Sequence, residues 1–261
     1  MSPAPAVDPT QGGGKLVGRR VVITGAARGI GAAIATRFAG EGASLALIDL
    51  LEPEVTAVAA RLGAEAVIGD LRDPGSARAT TQAAIDRLGG IDVLVNNAGV
   101  LRFASVLDTT VEEWDLMFEV NARSMLLTTQ VAARTMIAQG PAGRSRGKIV
   151  NMASMGGKLG SANQAHYCAS KAAVIAFTRV CAMEFGVHGI NVNCICPGYV
   201  LTEMGAGTRT PEMVADWSSK SPLGRLAEPD DVAGTALFLA SSDADYCTGQ
   251  ALNVSGGMVM H

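Results

Sequence analysis

The sequence predicts an α/β fold, a single domain built on a parallel β-sheet doubly wound by helices, and three observations carry that reading. Strand-like and helix-like runs alternate almost throughout the 261 residues. The strand-like runs are apolar on both faces, as strands covered by helices on either side must be. A glycine-rich turn, TGAARGIG over 24–31, stands between the first strand and the first helix.

The elements follow in order. RRVVITG (19–25) is short, β-branched and bounded by glycine, so it reads as a buried strand. Residues 29–41 have alanine-rich helical spacing, and ASLALID (43–49) is the second strand. A helix across about 53–63 precedes AEAVIGD (64–70), and one over about 74–88 precedes IDVLVNN (91–97). A long helical pattern from about 111 to 139 leads to KIVNMAS (148–154). The next helix runs to about 187, and INVNCIC (190–196) is the sixth strand. Residues 198–225 are irregular or loosely helical; a helix at about 229–241 and the short strand ALNV (251–254) close the pattern. No repeat, low-complexity tract or second-domain linker interrupts it, so one domain is expected over 15–261. Residues 1–14, MSPAPAVDPTQGGG, read as a flexible tail rich in Pro and Gly.

Composition narrows the classes. With 48% hydrophobic and 17% charged residues and a mean hydropathy of +0.26, the chain can bury a sizeable core. A net charge of -3 and the lack of any Lys/Arg run argue against a nucleic-acid partner. No apolar run reaches the ~18 residues of a membrane span, and the tail lacks the apolar core of a signal peptide. Five cysteines (Cys168, Cys181, Cys194, Cys196 and Cys247) lie in apolar segments without a C-x-x-C. They read as buried reduced thiols, which suits the cytoplasm. The three histidines show no metal-site spacing, so no metal is expected.

The turn carries Gly25, Gly29 and Gly31. Glycine leaves no Cβ between the main chain and an incoming phosphate, and the helix N-terminus beyond it favours anions. Asp49 lies eighteen residues past Gly31, at the end of the second strand. A carboxylate there is either a turn former or the partner of an adenosine ribose, and the glycine turn in register favours dinucleotide binding. The carboxylate would repel a 2′-phosphate, and Leu50 and Leu51 offer no cation to compensate. Arg28 could approach such a phosphate but is expected along the turn surface. NAD is favoured over NADP.

Ser154 closes the fifth strand, Tyr167 follows thirteen residues later, and Lys171 four further on. Tyr167 and Lys171 share one helix face. A phenol ionises near pH ~10, and an adjacent ammonium is expected to move it toward working pH. With a serine hydroxyl to hold the substrate oxygen, the set suits proton transfer to or from an alcohol. The alternative for any Tyr-x-x-x-Lys is an amphipathic surface pair.

Taken together these residues resemble the short-chain dehydrogenase/reductase family. The likeness covers about residues 17–257. It rests on TGAARGIG, Asp70 closing the third strand, NNAG (96–99), Asn121, Ser154, Tyr167-x-x-x-Lys171 and Pro197-Gly198, in the expected order. The resemblance implies a Rossmann-type domain with a seven-stranded parallel sheet, assembled as a homotetramer. It implies that Asp70 bonds the adenine amino group, with Leu71 beside it. Asn96, Asn97, Ala98 and Gly99 would line the nucleotide cleft, as would Ile30 in the glycine turn. Asn121 would distort its helix and connect through water to Lys171. Pro197, Gly198, Val200 and Thr202 would pass along the nicotinamide. Tyr167 would be the acid–base group, Ser154 the oxygen holder, and Lys171 would tune Tyr167 and bind the nicotinamide ribose.

Substrate choice is expected in a lid over about 200–222, with Met155, Gly156, His166 and Tyr199 contributing. Trp217 reads either as a pocket wall or as packing for the lid. His166 is expected to face solvent or a subunit contact. The small residues Cys168, Ala169, Ala172 and Ala173 would admit a neighbouring helix, and residues 256–261 would lie against a neighbouring subunit. NMASMGG, HYCASKAAVIAFTR and the ending ADYCTGQALNVSGGMVMH are most similar to polyol and related secondary-alcohol dehydrogenases. Ser255 departs from the family's usual Val-Asp-Gly-Gly ending, which puts any contact of that aspartate in doubt. The competing readings are an NADPH-dependent ketoreductase of a ketone or 3-oxoacyl substrate, and a non-catalytic NAD-sensing regulator.

Overall fold

Why the strands pack as they do is visible in their alternation. In β1 (Arg20–Thr24), Val21 and Ile23 join one buried cluster and Val22 the other, because successive side chains leave opposite faces of a strand. The structure, a computed structural model, describes residues 13–140, 145–204 and 209–261. Of the residues read as a tail, 1–12 lie outside this description, and Gly14 already packs on the Glu41 main chain.

The chain runs β1, α1 (Gly29–Gly40), β2 (Ser44–Asp49), α2 (Glu52–Leu62), β3 (Glu65–Ile68), α3 (Pro74–Leu88) and β4 (Val93–Asn96). It continues through α4 (Val111–Phe118), a π-helical turn (Glu119–Arg123), α5 (Ser124–Ala138), β5 (Gly147–Met152), α6 (Gly156–Leu159) and α7 (Ala165–Gly186). Then come β6 (Ile190–Pro197), α8 (Pro211–Ser219), α9 (Pro229–Ala240), a 3-10 turn (Ser242–Ala244) and β7 (Ala251–Val254). The seven strands form one sheet in the order β3-β2-β1-β4-β5-β6-β7, every neighbouring pair parallel. The α1 and α9 helices cover one face with Ile34, Phe38, Val232 and Ala236. The other face is covered by α3, α5 and α7 through Ile85, Leu127, Met136 and Cys181. The order reverses between β1 and β4, and an open parallel sheet binds ligands in the crevice at that point.

Two features of the helices matter for function. The helix expected across 111–139 is broken by the π-helical turn at 119–123. Asn121 is at its centre and fully buried, bonded to Val100 and Ser170. Each such bond is worth about 1 kcal/mol net, enough together to offset the poorer geometry of a widened turn. The segment read as irregular or loosely helical over 198–225 contains α8, started by Pro211 and by the Thr210 hydroxyl accepting the Met213 N–H at 3.3 Å. Residues 205–208 of the expected lid lie outside the described residues. All five cysteines are free; four are buried and Cys247 is half-buried. Among the described residues no helix is long and apolar enough to cross a membrane.

Candidate active site

Parallel strands deliver their C-terminal ends to one side of the sheet, and there the chain gathers the glycine turn, the Asn97–Gly99 turn, Ser154 and Pro197–Gly198. Gly25 has φ +65°, and a Cβ on it would stand 2.7 Å from Ala98 Cα. A Cβ on Gly31 would collide with the Gly25 carbonyl oxygen. Asn97 clamps the two turns: its amide donates to Thr24 O at 3.2 Å and Gly25 O at 2.8 Å. The Thr24 hydroxyl accepts the N–H groups of Asn97 and Ala98.

Helix α1 begins at Gly29 with no side-chain cap and no acidic residue in its first turn. Its free N–H groups thus face the glycine cradle, which fits the pyrophosphate of a dinucleotide. Arg28 is exposed at the edge of this turn, and Ile30 is half-buried against the core. The Asp49 carboxylate accepts the Ala27 N–H at 3.0 Å and the Leu51 N–H at 3.1 Å, so it is held beside the turn. Asp70 lies two residues beyond β3, exposed, accepting the Arg72 N–H at 2.8 Å. The Leu71 side chain is buried in the core, leaving only its main chain for a ligand. Thr202 reaches back over the glycine turn, its Cγ2 3.4 Å from where a Gly29 Cβ would be. Val200 pairs with Ala227 just before it.

The reactive side chains come from three neighbouring elements. The Ser154 hydroxyl, just beyond β5, accepts the Gly156 N–H at 3.1 Å. Tyr167 and Lys171 project from the first turns of α7, with Lys171 Nζ 5.8 Å from the Tyr167 ring centre. Lys171 Nζ donates to Met152 O at 2.8 Å. A Cβ on Gly99 would lie 3.1 Å from Asn121 Oδ1 and 3.4 Å from Lys171 Nζ, so both side chains look onto that glycine. Trp217 of α8 stacks on Tyr199, ring centres 4.4 Å apart and planes within 8°, which ties the lid to the body. Among the described residues no group of three metal-ligating side chains is gathered.

The electrostatics differ from the sequence expectation. Burial pushes the Tyr167 phenol up, and the approach of Ser154 offsets this only in part. The Lys171 ammonium is brought down to about 8 by burial. The pair therefore sheds its first proton from the amine rather than from the phenol. The cause is desolvation, which disfavours both charged forms.

Several expected placements are corrected. Asn96 does not face the cleft: it is buried, its amide donating to Asn151 Oδ1 and Thr129 Oγ1 and its carbonyl accepting from Thr128. Adjacent strand residues face opposite ways, and the cleft-side partner is Asn97. His166 faces neither solvent nor a subunit contact: it is fully buried, on the stripe of α7 that carries Ser170. Cys168 turns inward, its Sγ 3.2 Å from where a Gly156 Cβ would stand, while Ala172 is exposed. Residues 256–261, expected against a neighbouring subunit, bury Val259 on their own chain and leave Met260 exposed. Sequence reasoning missed Val100 and Ser170, the partners of Asn121; the hydroxyl three residues after Tyr167 was the available signal.

Comparisons with known proteins agree with this geometry. A family model described as enoyl-(acyl carrier protein) reductase matches residues 25–259. A galactitol 2-dehydrogenase of Agrobacterium fabrum is 40% identical over 256 residues, covering 93% of this chain and 98% of the relative. A sorbitol dehydrogenase of Cereibacter sphaeroides is 39% identical, with the same shares covered. A 3-oxoacyl-[acyl-carrier-protein] reductase of Chlamydia pneumoniae is 38% identical, covering 93% of this chain and 98% of the relative. The crystal structure of a short-chain type dehydrogenase/reductase from Mycobacterium marinum superposes with a TM-score of 0.87 at 35% identity, covering 95% of this chain and 98% of the other.

Proposed function

The chain belongs to the short-chain dehydrogenase/reductase family, an oxidoreductase of alcohol groups that uses a nicotinamide cofactor, and on that premise we propose that it is an NAD-dependent dehydrogenase of a polyol or similar secondary alcohol. The observation that carries the cofactor choice is Asp49, whose carboxylate is held at the glycine turn by the Ala27 and Leu51 N–H groups. Two ribose hydroxyls can donate to it, and a 2′-phosphate would meet its charge at close range. The polyol class is supported by the likeness to the galactitol and sorbitol enzymes.

The residues that would hold the nucleotide are Gly25, Arg28, Gly29, Ile30 and Gly31 at the pyrophosphate, Asp49 at the ribose, and Asp70 with Leu71 near the adenine. Asn97, Ala98 and Gly99 line the crevice; Pro197, Gly198, Val200 and Thr202 flank the nicotinamide, and Tyr167 and Lys171 its ribose. Bound there, the cofactor supplies the hydride acceptor for oxidation and the donor for reduction.

The chain's own groups manage the proton. In oxidation the pair has already lost one proton: Tyr167 gives its own proton up toward the neutral Lys171 amine and takes the hydroxyl proton of the alcohol at Oη as the carbinol C–H bond breaks. Ser154 Oγ holds the same oxygen while it becomes a carbonyl. Lys171, when charged, stabilises the phenolate. Asn121 holds Val100 and the Gly99 corner in place, keeping the approach to Lys171 open. The reaction takes place within a single catalytic domain over 15–261, with residues 200–204 and 209–222 on the substrate side. A homotetramer is supported by the exposed stripe on α7 of Ala172, Ala176, Val180 and Met183. The free thiols suit the cytoplasm.

The second reading is an NADPH-driven 3-oxoacyl reductase, favoured by the likeness to the Chlamydia pneumoniae enzyme. A panel of sugar alcohols with NAD and with NADP, against acetoacetyl thioesters with NADH and NADPH, separates the two. Faster turnover of the thioester with NADPH would replace the first reading by the second.

A further inference from the structure

The last residues of the chain are folded back by Ser255. Its hydroxyl accepts the Val259 N–H at 3.1 Å and donates to Val259 O at 3.3 Å. An aspartate in its place could accept but not donate, so the departure from the family's ending has a structural use. The Asn253 amide adds bonds to Val259 O at 3.1 Å and His261 O at 3.2 Å. The segment that results touches three parts of the site. Gly198 abuts Ser255, where a Cβ would come within 3.0 Å of Ser255 Cα. At the foot of the lid, Ser221 Oγ and Leu223 N donate to Gly256 O at 3.0 and 3.3 Å.

The third contact is Lys158. Its Nζ donates to Ala251 O and to His261 O, each at 2.9 Å. Lys158 stands on α6, the four-residue helix whose first N–H donates to Ser154 Oγ. One turn of helix has no stability of its own and must be held from outside. On its inner side Gly157 packs on the Lys171 main chain, where a Cβ would lie 2.7 Å from the carbonyl carbon. On its outer side Lys158 does the holding.

We propose that Lys158 is a positioning residue for Ser154: by pinning α6 to the folded-back segment 255–261, it fixes the hydroxyl that holds the substrate oxygen. The inference rests on the dehydrogenase reading for its catalytic consequence, but not for its structural one. Removing the ammonium frees the outer end of α6 and lets Ser154 Oγ wander from the position that matches Tyr167, where small displacements cost large factors in rate.

The test compares Lys158→Met and Lys158→Arg with the unaltered full chain in three measurements. Amide hydrogen exchange across 153–160 is followed in the unloaded protein. NADH affinity is read by fluorescence titration, and sorbitol oxidation with NAD by absorbance. We expect exchange across 153–160 to accelerate at least fivefold in Lys158→Met, kcat with sorbitol to fall about tenfold, and the NADH Kd to stay within twofold. Arginine, which can also donate to both oxygens, should restore exchange and rate together. Should Lys158→Met not fold, Asn253→Ala, which loosens the same segment, must show the faster exchange. Unchanged exchange across 153–160, or faster exchange that arginine does not correct, overturns the proposal. A protein inactive on sorbitol while the exchange result holds would count against the polyol reading and leave the pinning role standing.

Discussion

Asn121 and Val100 hold each other by two hydrogen bonds: the Asn121 carbonyl accepts the Val100 N–H at 2.8 Å, and its amide returns a bond to Val100 O at 3.0 Å. A side chain is thereby paired with a main chain as one strand pairs with another. The same amide donates to Ser170 Oγ at 3.0 Å, which links the crevice loop to the helix bearing Tyr167.

Asn121→Ala removes all three bonds and leaves the Val100 N–H without its acceptor. An orphaned buried polar group costs about 1–3 kcal/mol, so denaturant unfolding should show a loss of that order. Turnover should fall about tenfold or more, because Gly99 and Lys171 lose their fixed spacing. Full activity with unchanged stability would contradict the role given to Asn121.

The pH dependence follows from Lys171, brought down to about 8. Oxidation requires the Tyr167–Lys171 pair to accept a proton, so it needs the pair with one proton removed. The kcat/KM for alcohol oxidation should therefore rise tenfold per unit below pH 8 and level off above it. Reduction requires the pair to give a proton and should fall through the same region. In Lys171→Met the first proton lost is that of Tyr167, which burial holds above the ordinary phenol value of ~10. Residual activity should then rise only beyond that pH.

Lys171 also bears on stability, with the opposite sign from an ordinary ion pair. Its folded value is lowered, so the cost of burying the charge is present in full below about pH 8. That cost fades as pH rises toward the unfolded value of 10.5. Lys171→Met should accordingly unfold at higher denaturant than the unaltered protein at pH 7, by roughly 1–3 kcal/mol. The gain should shrink as the pH is raised to 10. A stability difference independent of pH would argue against a buried, depressed amine.

How much of this was legible in the sequence depends on where each cause resides. The bounds of α3 were readable because Asp73 caps it, Pro74 opens it and Gly89 ends it in a left-handed conformation, all within the segment itself. The π-helical turn was not readable from EVNAR itself, which is ordinary helical sequence; only the family resemblance implied that Asn121 distorts its helix, and the bonds that hold Asn121 there run to Val100, twenty-one residues away, and to Ser170. The choice between Asn96 and Asn97 needed the sheet's facing, which neighbours in space decide. His166 could be placed around its helix, but what covers that side of α7 could not. For Tyr167 the local pair with Lys171 suggested a lowered value; burial, set by the whole fold, reversed it.

Asp49 governs nucleotide choice in this account. The unaltered protein should prefer NAD over NADP by at least tenfold in kcat/KM. Asp49→Ala removes the repelling charge and frees the Ala27 and Leu51 N–H groups, so the preference should drop by about tenfold. A preference for NADP in the unaltered protein, or a ratio unmoved by the substitution, would remove Asp49 from that role.

The central claim is that the Tyr167 hydroxyl carries the proton in the reaction, while its contact with the nicotinamide ribose adds little to nucleotide affinity. Tyr167→Phe deletes that single oxygen while keeping the ring that packs in the site. Alcohol oxidation by this variant, measured with NAD alongside an NADH titration, should fall at least a thousandfold while NADH binds within threefold of the unaltered protein. Turnover above a tenth of the unaltered rate, with nucleotide binding intact, would contradict it.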